Sequence, residues 1–404
     1  MGNIFFANIH LFNNSYMQIK EVKNKTREKD FLQVPRIIYK NDPNWISHLD
    51  NDIMAVFDPD KNKNFQWGEA TRWVLYDNNN NLIGRIAAFV NRQLAFTYEH
   101  PVGGTGFFEC INDKDAAFLL FDTAKKWLEG LEMEAMDGPI NFGEKDRFWG
   151  LMVDGFDTSP PYLLNYNPPY YKELFEAYGF QNYYEQYIYR LSRETVVPPL
   201  VHRNFERLTR TEGYEFKTLE MNQMEKYAID FMTIYNEAWR DVHKHFKPMT
   251  KEQALQTFES MKSVADPDLV VFAYHNGKPI AIFVGIPELN EIFRFVNGKL
   301  NLVGKLKVLY HKWRKTCKTV YGIVFGIVPE YRYKGVESGL IIAIQKSILK
   351  TDTYKDMYIA WIGDFNPKMI RIVELLGKDR VFTLVTYRKM FKDEYEFSRH
   401  PVLD

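Results

Sequence analysis

A phosphate-binding turn is indicated where a predicted strand, Val324–Val328, meets the helix that follows it. The strand is a short apolar, β-branched run that ends at Pro329, and Arg332 and Gly335 lie in the turn. The next segment carries apolar residues at helical spacing, namely Leu340, Ile341, Ile344 and Ile348. A helix entered in this way directs unpaired N–H groups and the positive end of its dipole at the turn. The chemistry indicated is binding of a phosphate group. The competing interpretation is an ordinary strand-to-helix turn whose charged residues are solvated.

The turn from Arg332 to Glu337 resembles the pyrophosphate loop of the GNAT superfamily of acyl-CoA-dependent N-acyltransferases, whose pattern is Gln/Arg-x-x-Gly-x-Gly/Ala. Arg332 and Gly335 match, whereas Glu337 stands where the pattern has a small residue. A carboxylate about 4 Å from a phosphate costs on the order of 1 to 4 kcal/mol unless it turns away. The resemblance implies acyl-CoA or acetyl-CoA as co-substrate. The residues it assigns to binding are Val328, Arg332, Tyr333, Lys334, Gly335, Val336 and Asn366.

Two parts of the chain repeat one order of elements. A hairpin, a strand and a helix begin at Thr71, and a second hairpin, strand and helix follow around the turn Asn276-Gly277. This repetition is similar to the tandem GNAT-like proteins and resembles an uncharacterised bacterial family of that architecture. It predicts an α/β (α+β) fold with mixed sheets. The predicted ranges are a leader over 1–16, an N-terminal domain over 17–194, a linker over 195–212 and a C-terminal domain over 213–404.

The N-terminal half has an acidic turn where the resemblance places a phosphate loop. The acidic residues are Glu109, Asp113 and Asp115, with Asn112 among them. Negative charge there would repel a pyrophosphate. We therefore expect a degenerate cofactor loop in this half and an acyl-CoA site in the C-terminal half.

A loop rich in glycine, aromatic and charged residues, over positions 136–156, satisfies neither helical nor strand periodicity. Loops of this composition often line a ligand cleft. Its polar residues include Asn141, Glu144, Asp146 and Arg147. The competing interpretation is a packed loop with internal salt bridges.

The resemblance also implies catalytic roles. In this superfamily a carboxylate or a water accepts the proton of the amine, and a tyrosine protonates the leaving thiolate. Tyr387 or Tyr166 is the expected acid, and Asp364, Asn366 or Glu109 is the expected partner of the amine, since these residues lie at ends of predicted strands that could face one cleft.

The implied function is transfer of an acyl group from acyl-CoA to an amine of a small molecule or amino acid. A second function stays open. Because Glu337 departs from the loop pattern, the chain could instead be a non-catalytic protein that binds an amine, an amino acid or a lipid-like ligand between its halves.

Composition excludes several classes of protein. The 52 basic residues equal the 52 acidic residues, which argues against a nucleic-acid binder. Two cysteines, Cys110 and Cys317, provide neither a disulfide framework nor a thiolate zinc site, and a reducing cytoplasm is the expected compartment. His243 and His245 are spaced i, i+2, which does not place them on one helix face, so no metal site is predicted. The oligomeric state is not indicated.

Two further segments carry expectations about structure. We expect the chain around Pro35, Pro43 and Pro59 to form aromatic-rich turns rather than long helices or strands. The segment Phe295–Lys318 is basic and lacks acidic residues, and its apolar positions, Leu302, Leu306, Leu309 and Trp313, predict an amphipathic helix. That helix would either lie on a membrane surface or bury these side chains against its own domain.

Overall fold

The structure, a computed structural model, describes residues 17–240, 247–262 and 264–403. These residues contain thirteen strands. In chain order they are β1 (Gln18–Glu21), β2 (Gly68–Tyr76), β3 (Leu82–Asn91), β4 (Val102–Cys110), β5 (Ala135–Gly138), β6 (Leu151–Asp154), β7 (Gln181–Ser192), β8 (Tyr214–Thr218), β9 (Val270–His275), β10 (Lys278–Pro287), β11 (Thr319–Ile327), β12 (Asp356–Gly363) and β13 (Arg380–Met390).

The same residues contain twelve α-helices. In chain order they are α1 (Lys25–Ile38), α2 (Asp50–Val56), α3 (Arg92–Ala95), α4 (Lys114–Glu129), α5 (Tyr171–Tyr178), α6 (Pro199–Thr209), α7 (Met224–Ala238), α8 (Lys251–Met261), α9 (Asn290–Phe293), α10 (Leu302–Trp313), α11 (Val336–Leu349) and α12 (Pro367–Leu376). Among the described residues, no helix has the length and apolarity needed to cross a membrane.

The strands of the described residues form one mixed sheet, in the order β1-β2-β3-β4-β5-β13-β7-β12-β11-β10-β9-β8, with β6 paired to β13. The last strand in sequence, β13, lies between β5 and β7, and β7 lies between β13 and β12. The two halves therefore exchange their final strands, and the sheet continues through the middle of the molecule. The α/β class with a mixed sheet is confirmed.

Alternate residues of β2 and β3 enter two different cores, as the period of two in a strand requires. Leu75 and Ile86 pack in the cluster that contains α4, whereas Val74 and Ala87 pack in the cluster that contains Phe31 of α1. In the C-terminal half, one large cluster joins α7, α8 and α11 to β9 and β10.

The proline-rich beginning of the chain is more helical than expected. The prediction of short turns around Pro35 is wrong, because α1 continues through this residue. Pro35 has no N–H to donate to the carbonyl of Phe31, four residues earlier. The guanidinium of Arg85 donates to that carbonyl instead, at 2.8 Å. A side chain from β3 thus replaces the missing helical hydrogen bond.

The structure describes the predicted linker but not the predicted leader or the histidine pair. The range 195–212, predicted as a linker, contains α6, which packs against α11 through Val201 and Ile342. The predicted leader over 1–16 and the pair His243 and His245 lie outside the described residues. The predicted domain ranges themselves stay predictions.

Candidate functional site

A cleft opens between the parallel strands β11 and β12. Their pairing ends at Gly322 opposite Ile359, although β11 continues to Ile327 and β12 to Gly363. Two paired strands that continue without pairing must separate, so their carboxyl-terminal ends form the two walls of a cleft.

A β-bulge lies on β11 at the start of this cleft. The register with β10 changes from Gly285–Gly322 to Val284–Val324, which leaves Ile323 without a partner on β10. A bulge bends the strand and redirects its backbone groups, and bulges are common beside active sites. Ile323 faces a large cavity.

This central cavity has a volume of about 2440 Å³ and is lined by both halves of the chain. Its apolar wall comes from the strands β10, β11 and β12 and from the helices α7, α8, α11 and α12. Representative residues are Phe231, Tyr235, Trp239, Phe283, Val324, Phe325 and Trp361. The ring of Trp239 lies directly against the Cα of Gly326, where a Cβ atom would come within 2.4 Å of it. Gly326 therefore lets the indole approach the wall of the cleft.

The charged part of the cavity comes from the N-terminal half. Glu144, Lys145, Asp146 and Arg147 lie on the loop between β5 and β6 and line the cavity, which agrees with the interpretation of this loop as part of a ligand cleft. Asn141 of the same loop is buried, and its side-chain oxygen has no partner among the described residues.

Glu144 is exposed to the cavity, whose walls partly remove its carboxylate from bulk water. This desolvation raises the pKa of Glu144 above the ordinary value, and the negative charge of Asp146 raises it further. Glu144 also contributes to the raised pKa of Tyr235, after the larger effect of burial. Glu144 and Tyr235 both line the cavity, so a carboxylate and the aromatic side chains of α7 face the same space.

The turn between β11 and α11 has the backbone shape of an anion-binding turn. Tyr333 and Gly335 both have positive φ, 63° and 92°. Gly335 is the N-cap of α11 and provides no side-chain hydrogen bond to the helix. The first N–H groups of α11 are therefore not satisfied by the cap residue.

Side chains hold this turn in place. The guanidinium of Arg332 donates to the carbonyls of Ile327 and Ala238, at 3.2 and 2.8 Å. Arg332 therefore links the end of α7 to the end of β11, although the residue is exposed. The ammonium of Lys334 lies 5.2 Å from the centre of the Tyr331 ring.

The other residues predicted to bind the co-substrate surround this turn and the neighbouring helix α12. The N–H of Val328 donates to the carbonyl of Ile280, Val336 is buried, and Tyr333 is 77 % exposed. Asn366 is the N-cap of α12, accepts the N–H of Met369 and lines the cavity. The first turn of α11 also contains Glu337, one oxygen of which is buried without a partner among the described residues.

The four residues predicted to be catalytic do not meet at one point. Of the described residues that line the central cavity, none is Tyr387, Tyr166, Asp364 or Glu109. Tyr387 packs in the core beside α4 and α5, and its hydroxyl donates to Glu176 at 3.0 Å. Asp364 pairs with the guanidinium of Arg399 on the surface.

Glu109 and Tyr166 lie close to each other, in a buried network of the N-terminal half. The hydroxyls of Tyr39 and Tyr171 donate to Glu109 at 2.7 and 3.0 Å. Arg85 pairs with the other oxygen of Glu109 at 3.3 Å. Tyr39 also contacts the carbonyl of Tyr166, whose own hydroxyl donates to Asp42. Catalytic roles for the four residues stay predictions.

The N-terminal half repeats the cleft in a closed form. β4 pairs with β5 only as far as Gly104, and the N–H of Ile140 then donates to the carbonyl of Thr105. The space beside it, lined by residues that include Phe107 and Phe148, is about 40 Å³. This half thus has a filled cleft where the C-terminal half has an open one.

The helix after β4 is capped by a carboxylate. Asp113 accepts the N–H of Ala116 at 2.9 Å. A side chain of negative charge therefore occupies the position that a phosphate would need. This cap is consistent with a degenerate cofactor loop in this half, which stays a prediction.

The bulge at Ile323 and the contribution of α7 to the cavity wall were not predicted from the sequence. Tyr235 of this helix packs against the core of the C-terminal half and also lines the cavity. A helical period identifies an apolar face but does not distinguish a core from a cavity wall. The two glycines of β11, Gly322 and Gly326, were the available signal, since glycine in a strand often marks a bulge or a close approach.

The fold is similar to that of solved GNAT proteins, one of them a tandem GNAT protein, so the predicted resemblance to that superfamily is confirmed at the level of the fold. Similar solved structures include a tandem GNAT protein from the clavulanic acid biosynthesis pathway, with a TM-score of 0.54 and 11 % identity over 94 % of this chain and 100 % of that one. Another is a GCN5-related N-acetyltransferase from Sphaerobacter thermophilus, with a TM-score of 0.50 and 10 % identity over 95 % and 98 % of the two chains. No protein-family model matches the chain.

Two named proteins are similar along almost their whole length. A bacterial ceramide synthase from Caulobacter vibrioides is 25 % identical over 380 residues, which cover 93 % of this chain and 98 % of that protein. Protein YghO from Escherichia coli is 23 % identical over 373 residues, which cover 89 % and 92 %.

Proposed function

We propose that this protein transfers an acyl group from acyl-CoA to the amine of a small molecule that carries an apolar chain. The observation that carries the proposal is the cleft between β11 and β12, which opens beyond Gly322 and Ile359 onto the central cavity. Such a cleft can hold an extended thioester arm between two strands while the cavity receives the second substrate.

The donor would bind through the C-terminal half. Its phosphates fit the turn at Tyr333–Gly335 and the first turn of α11, because the helix lacks a side-chain cap there. The bulge at Ile323 lies where the cleft begins. We assign the backbone N–H groups of β11 around this bulge to the thioester oxygen, on which negative charge develops during the reaction.

The acceptor amine would enter from the cavity. Its nitrogen attacks the thioester carbonyl, the C–N bond forms, and the C–S bond breaks to release CoA. Glu144 is the proposed acceptor of the amine proton, since it faces the cavity. Its pKa is raised towards neutral pH, which makes its carboxylate a better base. The leaving thiolate takes a proton from solvent, to which Glu144 returns the proton of the amine, so the overall step yields the amide and CoA as its thiol.

The proposed acceptor class follows from the cavity and from one relative. The wall formed by α7, β10 and β11 is apolar and aromatic, and 2440 Å³ is ample for a long hydrocarbon chain. Ceramide, the product named for the relative from Caulobacter vibrioides, is an amide of a long-chain amino alcohol. We therefore propose long-chain amino alcohols as the first acceptors to test.

Two measurements test the proposal. Calorimetry should detect acyl-CoA binding that Gly335→Asp abolishes, because aspartate disfavours φ of 92° and adds negative charge to the turn. A thiol-release assay, with the amide identified by mass spectrometry, should show turnover with a long-chain amino alcohol.

The residue assignment has its own control. Glu144→Gln should lower kcat by about 100-fold, in the range of general-base contributions, while the Kd for acyl-CoA stays the same. Glu212→Gln, at an exposed position, should change neither quantity. No acyl-CoA binding at millimolar concentration would refute the proposal and favour the non-catalytic binding protein, for which Glu337 in the first turn of α11 is the motivating observation.

A further inference from the structure

The helix α10, Leu302–Trp313, presents its most apolar face to solvent. It contacts the rest of the protein through the opposite face, where Gly304 is buried and Val308 is half-buried. The ring of His311 stacks on Phe295 at 3.9 Å between centroids. These contacts fix the helix on the protein surface with a defined rotation about its axis.

The exposed stripe consists of Leu302, Leu306, Leu309 and Trp313, which we call the docking face. They follow one another at i, i+4, i+7 and i+11, so they form a single line along the helix. Their exposed fractions are 75 %, 58 %, 62 % and 77 %. The interpretation in which this helix buries these side chains against its own domain does not describe the structure.

Basic residues surround the docking face. They are Lys299, Lys305, Lys307, Lys312, Arg314, Lys315 and Lys318, and all are exposed. At 100° per residue, Lys305 and Lys312 lie on one side of the stripe and Lys307 on the other. No acidic residue occurs from Phe295 to Lys318. The surface is therefore an apolar line that Val303 and Tyr310 widen on one side, with Lys305 and Lys312 along one border and Lys307, whose ammonium donates to the carbonyl of Phe295, beyond the other.

We propose that the docking face binds the surface of an anionic lipid bilayer. An amphipathic helix with apolar residues on one face and lysines beside them lies in the plane of the interface, with its apolar side chains in the acyl boundary and its lysines on the headgroups. A helix of this size, about 18 Å long, lies on a membrane rather than spanning it.

The charge pattern selects a lipid surface over a second copy of this chain. In a symmetric dimer the same patch faces itself, so the basic borders of the two copies would oppose each other. Anionic headgroups complement those borders and also accommodate the apolar stripe. Binding of the docking face to lipid is independent of the proposed acyl transfer.

Flotation with vesicles tests the inference in the full-length protein. Vesicles of phosphatidylcholine with phosphatidylglycerol should carry the protein upward, and vesicles of phosphatidylcholine alone should not. Raising the salt from about 0.1 M to about 1 M should release most of it, since the Debye length falls to roughly 3 Å. Absence of binding to the anionic vesicles at low salt would overturn the inference.

Substitutions on the helix separate its two contributions. Leu306→Glu with Leu309→Glu should reduce the bound fraction at least tenfold, because it places charge in the acyl boundary. Lys305→Glu with Lys312→Glu should reduce it similarly at low salt only. These side chains are exposed, so folding, checked by thermal unfolding, should be preserved.

Matched variants elsewhere control for general changes in charge and apolarity. The apolar control is Leu375→Glu, since Leu375 is 47 % exposed on α12, and the charge control is Lys29→Glu with Lys378→Glu. Both variants should bind anionic vesicles like the parent protein. Equal losses in these controls would contradict a role specific to α10.

Fluorescence and mass measurements complete the test. Anionic vesicles should shift the emission of the protein to shorter wavelength, and Trp313→Phe should remove that shift while leaving the other tryptophans. If instead light scattering shows a dimer that Leu306→Glu with Leu309→Glu dissociates, the docking face is a protein interface and the inference is refuted.

Discussion

Replacing Glu109 tests whether this carboxylate stabilises the fold or acts in catalysis. It is buried, and Arg85, Tyr39 and Tyr171 donate hydrogen bonds to its carboxylate at 2.7 to 3.3 Å. Burial raises its pKa in spite of the neighbouring guanidinium. Glu109→Met would leave the charge of Arg85 buried without its partner, which costs about 3 to 5 kcal/mol.

The two tyrosine hydroxyls contribute less to this loss. Tyr171 would lose its acceptor, whereas Tyr39 keeps the carbonyl of Tyr166 at 3.1 Å. An unsatisfied buried hydroxyl costs about 1 to 3 kcal/mol, and the effects within one network are not additive. We therefore expect urea unfolding to report a total loss of about 3 to 5 kcal/mol for Glu109→Met.

A double-mutant cycle shows whether the charge is the cause. Arg85→Met with Glu109→Met removes both charges, so the double variant should lose less free energy of unfolding than the sum of the single variants. The folded fraction should bind acyl-CoA with unchanged Kd. A loss below about 1 kcal/mol together with abolished turnover would refute the structural role and support the catalytic role expected from sequence.

Three further predictions concern single carboxylates. Burial raises the pKa of Glu288 from 4.5 to about 8. The stability that this group contributes is therefore fully present below about pH 4.5 and is lost as pH rises through about 8. In Glu288→Gln, urea unfolding should show a smaller loss of unfolding free energy between those pH values. Glu337→Gln removes negative charge from the first turn of α11, so calorimetry should show acyl-CoA binding that is about tenfold tighter or more. Unchanged or weaker binding would contradict this prediction. Asp113→Ala should cost about 1 kcal/mol of unfolding free energy through loss of the α4 cap and should create no second acyl-CoA site, because the cleft beside it is filled.

Local patterns in the sequence predicted the elements well where neighbouring residues determine them. Asn276 and Gly277 both have positive φ, 51° and 78°, as a tight hairpin between β9 and β10 requires. Gly179 ends α5 in the left-handed conformation. The α1 helix was missed because its missing hydrogen bond is supplied by Arg85, which is 50 residues from Pro35 in sequence and cannot be recognised from the local pattern.

The candidate site could be predicted only in part, for a similar reason. The turn at Gly335 and the polar loop at Glu144 were visible as local combinations of residue types. The position of Tyr387 was not, because β13 pairs with β5 and places Tyr387 opposite Gly138 of the other half. Period and composition indicate where a strand ends, but they do not indicate which strand becomes its neighbour.

The place of β13 in the sheet has a consequence for biosynthesis. A ribosome makes this strand after the twelve others, yet β13 belongs at the centre, between β5 and β7. Until Arg380–Met390 emerges, β5 and β7 both present unpaired backbone edges, which are templates for pairing with other chains. We therefore expect the nascent chain to depend on chaperone protection late in synthesis, and its two halves to complete folding in a single step after β13 is released.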